Sequence, residues 1–283
     1  MAVRATRIRT DGWVTGAVVG AVLVFLLAPV VVVVLASFDG GDPVAGRAFL
    51  TFPPSSLSLQ WYFSIQPRLF HALWVSFLVA CFAAGIGTVI GVPAALGLIR
   101  GNLPGKTVLS ALFRAPLQIP FIVIGVAFLQ TYYLLGDALG IRLTGSFIAL
   151  AIGHLFVATP YVIGSVGSVL LRFNPNLEEA ALSLGASRWR TFRRVTLPII
   201  MPGIYAGALF AFMVSFGDVP ISLFLASPQY ATLPLEIFHS MEFDFDAAVL
   251  AISTLIVFAS LVILWLIQKS VGLDVMLRSG GSG

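Results

Sequence analysis

Asn174-Pro-Asn-Leu-Glu-Glu-Ala-Ala-Leu-Ser-Leu-Gly185-Ala-Ser-Arg-Trp-Arg-Thr-Phe-Arg-Arg-Val-Thr-Leu-Pro198 joins two long apolar runs, 145–171 and 199–225. Its residues predict two short helices separated by a turn. Asn176 is placed to cap the first helix, with Glu179 reaching back as in a capping box. Leu177, Ala180, Ala181 and Leu184 then share one face. Gly185 stands where a helix C-terminus favours a left-handed residue. Ser187 starts the second helix, in which Trp189, Phe192 and Val195 recur every third residue. The remaining face carries Arg188, Arg190, Arg193 and Arg194.

The chain around this segment is apolar throughout. Its 283 residues are 59% hydrophobic and only 10% charged, and the mean hydropathy is +1.02. Soluble domains carry ~25% charged residues. A water-facing surface built from so few charges would expose large apolar patches, which excludes a soluble enzyme. Crossing ~30 Å of hydrocarbon takes about 20 apolar residues. Six stretches qualify: 13–38, 70–98, 108–135, 145–171, 199–225 and 247–268. They are continuously apolar, where a β-barrel needs short alternating segments. Pro29, Pro93, Pro116, Pro120 and Pro160 are expected to kink these helices without ending them. The expected fold class is therefore an all-α integral membrane protein with six transmembrane helices, a single domain over 13–278 preceded by a cytoplasmic segment, 1–12. The first run is too long for a signal-peptide core and lacks a small-residue cleavage site, so it is read as an anchor. Ser279–Gly283 resembles a linker scar and carries no functional weight.

Basic residues set the orientation. With the N-terminus inside, thirteen lie in inner segments: Arg4, Arg7, Arg9, Arg100, Lys106, Arg114, Arg172, Arg188, Arg190, Arg193, Arg194, Lys269 and Arg278. Three lie outside: Arg47, Arg68 and Arg142. Both termini are thus expected in the cytoplasm, and the net charge of +4 reflects topology and not nucleic-acid binding. Acidic residues gather outside at Asp39, Asp42, Glu236, Glu242, Asp244 and Asp246, giving either a solvated face or a partner surface. The outer segment 39–69, with Pro53-Pro54 and Trp61-Tyr62, reads as a loop with an interfacial aromatic anchor.

Other chemistry is sparse. Cys81 is the sole cysteine, and His71, His154 and His239 lack metal-ligand spacing, so no metal site is expected. Gly101-Asn-Leu-Pro-Gly105-Lys106-Thr107 falls one residue short of a phosphate loop and follows a membrane helix, where the motif needs a strand. Nucleotide binding by this chain is not expected.

The residues of 174–198 leave two readings open: amphipathic helices filling a groove on a cytoplasmic protein, or an interfacial element held on anionic lipid by its arginines. A resemblance favours the first. Glu179-Ala180-Ala181, then Gly185, then Val195-x-Leu197-Pro198 resembles the EAA loop of ATP-binding-cassette importer permeases, with Val195 where that family usually has Ile. The similarity runs from the first span to about Lys269. Ser215-Phe-Gly-Asp218-Val-Pro-Ile-Ser-Leu-Phe and Leu233-Pro-Leu-Glu236-Ile-Phe are similar to the second permease of spermidine/putrescine-type importers. Importers of aminoalkylphosphonates, ferric iron and other small solutes share much of this pattern.

The resemblance implies a type I importer permease fold in the bacterial cytoplasmic (inner) membrane. It implies a homologous permease partner, two ATPase subunits holding ATP and Mg, and an extracytoplasmic solute-binding protein, with no cofactor on this chain. It assigns Glu178, Glu179, Ala180, Ala181, Leu184, Gly185, Trp189, Val195, Leu197 and Pro198 to an ATPase-coupling loop. ATP-driven movement of that loop would rock the permeases through alternating access. Asp218 is the acidic residue expected within or at the edge of a span. It either draws an ammonium group along a path shared with Phe216, Met213 and Tyr161, or caps a broken helix near Pro220. A self-sufficient secondary transporter or channel would need more intramembrane charge. A membrane enzyme would need a catalytic set that the sequence lacks. Gly16-xxx-Gly20, Gly87-xxx-Gly91 and Gly203-xxx-Gly207 permit close helix approach.

Overall fold

Long apolar runs with few breakers give long helices, and the computed structural model of the chain is predominantly helical over its described residues. These are residues 12–40, 54, 56–243 and 246–271. The expected tail over 279–283, the expected N-terminal segment apart from Gly12, and Arg4, Arg7, Arg9, Asp42, Arg47, Pro53, Asp244 and Arg278 lie outside them. The helices are α1 (Gly12–Ala36), α2 (Gln60–Phe63), α3 (Pro67–Arg100), α4 (Lys106–Arg114), α5 (Phe121–Leu139), α6 (Phe147–Leu171), α7 (Asn176–Ser183), α8 (Arg188–Thr191), α9 (Leu197–Phe216), α10 (Pro220–Leu225), α11 (Leu233–Phe243) and α12 (Ala248–Val271).

Among the described residues, five helical stretches are long and apolar enough to cross a bilayer: Gly12–Ala36, Pro67–Arg100, Phe121–Leu139, Phe147–Leu171 and Arg188–Phe216. In the sixth expected span, α12, the apolar stretch among the described side chains is the shorter Ala248–Val262. Pro29, Pro93 and Pro160 sit inside continuous helices, as expected. Pro116 and Pro120 do not. The stretch expected as one helix over 108–135 is broken: α4 ends at Arg114, a 3-10 turn holds Ala115–Leu117, and α5 starts after Pro120. Two ring nitrogens without N–H groups, four residues apart, remove two rungs from one helical turn. The run 199–225 is also broken, between Phe216 and Pro220.

The described residues divide into two compact units. In the larger, Arg68–His239, α6 is the central helix, with thirteen buried residues from Ala149 to Leu170. It runs along α9, and the approach is close because Gly203 and Gly207 face it. A Cβ on Gly207 would lie 2.8 Å from Val162 Cα, and one on Gly203 would lie 3.0 Å from Ser165 O. One core cluster joins Ala83, Ala95 and Leu98 of α3 to Val162, Val166 and Leu170 of α6 and Ile200 of α9. A second joins Val75 and Val79 of α3, Ile124 of α5, Leu150 and Val157 of α6, and Ile221 and Leu225 of α10. Leu109 and Phe113 of α4 pack on the first cluster, while Val108 and Leu112 stay exposed. The near-miss phosphate loop has a different use: Lys106 Nζ donates to Ile99 O at 3.0 Å, satisfying a carbonyl at the end of α3.

In the smaller unit, α1 packs on α12, and so does α2. The expected aromatic anchor is turned inward here. Trp61 Nε1 donates to Asp39 O at 2.6 Å, and Tyr62 Oη shares a 2.7 Å hydrogen bond with Ser37 Oγ. Parts of the expected acidic outer face are likewise engaged within the chain. Asp246 Oδ1 caps α12 through Ala248 N at 2.9 Å, and its Oδ2 accepts from Gln66 at 3.2 Å. In the larger unit, Glu236 is buried and pairs with Arg68 at 3.3 Å.

Candidate functional site

The 174–198 segment folds as two short helices about a left-handed glycine. Gly185 has φ +82°, and Ala186 N closes the turn on Ala181 O at 3.1 Å. Ser187 caps α8, its Oγ accepting from Arg190 N at 3.3 Å. The helix then continues without a break. Phe192–Thr196 widens into a π turn, in which Leu197 N bonds to Phe192 O, and this leads into α9. Pro198 gives the physical reason. Its ring crowds the carbonyl four residues back and it has no N–H to offer, so a wider turn just ahead relieves the conflict. The Val195-x-Leu197-Pro198 pattern thus marks the junction between loop and span. Val195 and Leu197 are half-buried, and Leu197 packs on the first core cluster.

The expected capping box is absent. No side chain caps α7, which begins after Pro175; instead Asn174 Oδ1 accepts from Asn176 N at 3.1 Å. Proline at the cap position has no hydroxyl or amide to offer, and the Asx turn one residue earlier sets the chain direction instead. The two glutamates then separate. Glu179 is exposed and has no side-chain partner among the described residues. Glu178 Oε1 accepts from Arg100 Nη1 at 2.6 Å and also from Thr196 Oγ1. Arg100 lies at the same time over the Phe173 ring, 4.5 Å from its centroid. Arg100, Phe173 and Thr196 are 78, 5 and 18 residues from Glu178, so only the fold brings them together, and no local pattern announces the cluster.

Among the described residues nothing covers the apolar face of the loop. Leu184 is 89% and Trp189 68% exposed, Leu177 and Ala180 are exposed, and Ala181 is half-buried. Trp189 stacks on Phe192 with centroids 5.8 Å apart, which fixes the indole while leaving it accessible.

The second set of expected residues is only partly assembled. Asp218 is buried and caps α10, with Oδ1 accepting from Ile221 N at 2.9 Å and Ser222 N at 3.2 Å. Its neighbours are polar residues that the sequence reading passed over. His154, fully buried on α6, sits between Ser215 Oγ at 2.9 Å and Ser222 Oγ at 3.1 Å, with Nε2 3.9 Å from Asp218 Oδ1. Ser222 Oγ also donates to Asp218 O at 3.3 Å. A histidine, two serines and an aspartate in apolar runs were the available signal, but the break at Gly217 hid their convergence. Phe216 stacks on Phe212 at 5.6 Å, Met213 is exposed and Tyr161 is half-buried. No hydrogen bond, ion pair or ring contact joins Met213, Phe216 or Tyr161 to Asp218 among the described residues.

With this geometry in hand, known proteins place the chain. The family described as "Binding-protein-dependent transport system inner membrane component" matches residues 87–272. The chain belongs to this family. It is 31% identical over 235 residues to the putrescine transport system permease protein PotI of Escherichia coli (strain K12), covering 82% of this chain and 81% of that protein. It is 30% identical over 250 residues to the spermidine/putrescine transport system permease protein PotC of the same strain, covering 87% and 89%. A probable sulfate transport system permease protein, cysT of Chlorokybus atmophyticus, is 33% identical over 215 residues. The fold matches a subunit of a bacterial ABC transporter involved in alginate import, with TM-score 0.69 and 16% identity over 95% of this chain and 99% of that one. The chain is thus a multi-pass permease subunit of an ABC importer.

Proposed function

We propose that the chain is one of two permeases of a binding-protein-dependent importer in the bacterial inner membrane, with six spans and both termini in the cytoplasm. Two separate ATPases hydrolyse ATP, a solute-binding protein delivers cargo outside, and the loop 174–198 couples the two events by alternating access. The observation that carries this reading is the uncovered apolar face of α7 and α8, set at a fixed angle by Gly185 beside the exposed Glu179. A short helix with small residues at its centre suits a groove on a folded partner. The chain's own metal and cofactor requirement is nil in this scheme.

The solute is a polyamine-like cation in this reading, supported by the two polyamine permease relatives. Asp218, with Phe216, Met213 and Tyr161 nearby in sequence or on α6, is the proposed path. A sulfate permease relative of similar identity makes sulfate the competitor to test. The experiment is affinity capture of the chain from its native membranes in mild detergent, followed by reconstitution and uptake of labelled putrescine, spermidine and sulfate. A second permease and an ATPase in the captured complex, both with putrescine uptake that needs ATP, is the expected result. The chain alone transporting solute without ATP overturns the importer assembly, and uptake of sulfate only overturns the polyamine assignment.

A further inference from the structure

We infer that Arg100, Glu178 and Thr196 form a brace that makes α7 a rigid extension of the membrane helices, with Glu178 a positioning residue. This rests on the coupling role proposed for the loop. Two adjacent glutamates have opposite surroundings: Glu179 faces solvent, whereas Glu178 is turned back onto the helices behind it. Its oxygen holds the last residue of α3 and the last residue of the π turn that leads into α9 at once. Arg100 extends the link to the end of α6 through the Phe173 ring.

The need for such a link follows from α7 itself. It has eight residues, no side-chain cap and no buried residue, and helices this short do not hold themselves in water. It hangs between the Asn174 turn and the left-handed Gly185. Without a tie it would pivot at both ends, and a push on its outer face would be lost in that pivot. A charge-assisted hydrogen bond from a guanidinium, doubled by the Thr196 hydroxyl, fixes it to three spans instead. Displacement of α7 then displaces α3, α6 and α9 together.

The test uses the full chain in lipid nanodiscs, with Cys81→Ala and nitroxide labels at Ser183→Cys on α7 and Val89→Cys on α3, both exposed positions. Double electron–electron resonance reads the distance distribution. The parent gives one narrow peak. Arg100→Gln and Glu178→Gln each widen it at least twofold, and the near-isosteric Thr196→Val widens it less. The reversed pair, Arg100→Glu with Glu178→Arg, returns it towards the parent width, and Glu179→Gln leaves it unchanged. Unchanged width in Arg100→Gln, Glu178→Gln and Thr196→Val overturns the brace. Capture of the ATPase separates this inference from the coupling reading. If the parent chain binds no ATPase, the coupling role fails whatever the widths are. If it does bind one, a brace that fails leaves the docking role standing.

Discussion

At the residue scale, Gly185 and Asp218 are set apart by what their neighbours allow. At Gly185 nothing lies within 4 Å of an added Cβ, so the demand is conformational: φ +82° costs an L-residue about 1–2 kcal/mol. Gly185→Ala is therefore expected to loosen the α7–α8 turn while membrane insertion stays normal, and Gly185→Trp to do the same and also obstruct the docking face. Both should insert and elute as the parent does, with ATPase capture reduced by Ala and abolished by Trp; full capture by Gly185→Trp refutes the docking role. Asp218 offers a sharper separation of its two readings. Asparagine is as good a cap as aspartate, whereas alanine loses about 1 kcal/mol of capping. Capping alone predicts that Asp218→Asn retains stability and putrescine uptake while Asp218→Ala loses both. Attraction of a cation predicts that Asp218→Asn folds normally yet takes up putrescine several-fold more slowly. Paired melting and uptake measurements on the two variants decide between them.

At the element scale, the α6–α9 contact holds the loop's two flanks in register. Lipid tails supply no hydrophobic drive between helices, so association rests on close packing at small residues. Gly207→Leu would press a side chain into the α6 backbone, and overpacking of this kind costs about 1–3 kcal/mol. The expected result is a lower melting temperature in detergent, with Gly16→Leu as the matched control, since nothing lies within 4 Å of a Cβ there. Equal melting of the two variants would remove the packing role of Gly207. The sequence showed the glycine pairs but not which of them meets a partner, because that depends on the helix across the gap. The same limit applies to the prolines: Pro93 and Pro160 are absorbed within α3 and α6, while Pro116 and Pro120 end a helix because two of them fall within one turn. Apolar run length is a local property, so the long helices were legible, as were the left-handed Gly185 and the Ser187 cap. The Glu178 brace was not, since its partner Arg100 is 78 residues away.

At the scale of the whole molecule, the open quantity is the number of crossings, and the charge pattern makes it measurable. With thirteen basic residues on one side and three on the other, the arrangement with six spans puts residues 174–198 and both termini in the cytoplasm. Leu57 and Leu139, both exposed, then lie outside, and Ser183 inside. In a Cys81→Ala background, single cysteines at Leu57 and Leu139 should react with a membrane-impermeant maleimide in intact cells, and one at Ser183 only after permeabilisation. Together these positions establish the crossing between Leu139 and Ser183. The sixth depends on α12, whose described apolar stretch, Ala248–Val262, is short for ~30 Å of hydrocarbon. The helix itself runs on to Val271, 24 residues in all, and at ~1.5 Å per residue that is long enough to cross. A fluorescent reporter fused after Gly283, which matures only in the cytoplasm, should therefore fluoresce. A dark reporter, with an alkaline phosphatase fusion at the same site active, would leave α12 on the outer side and reduce the permease to five crossings.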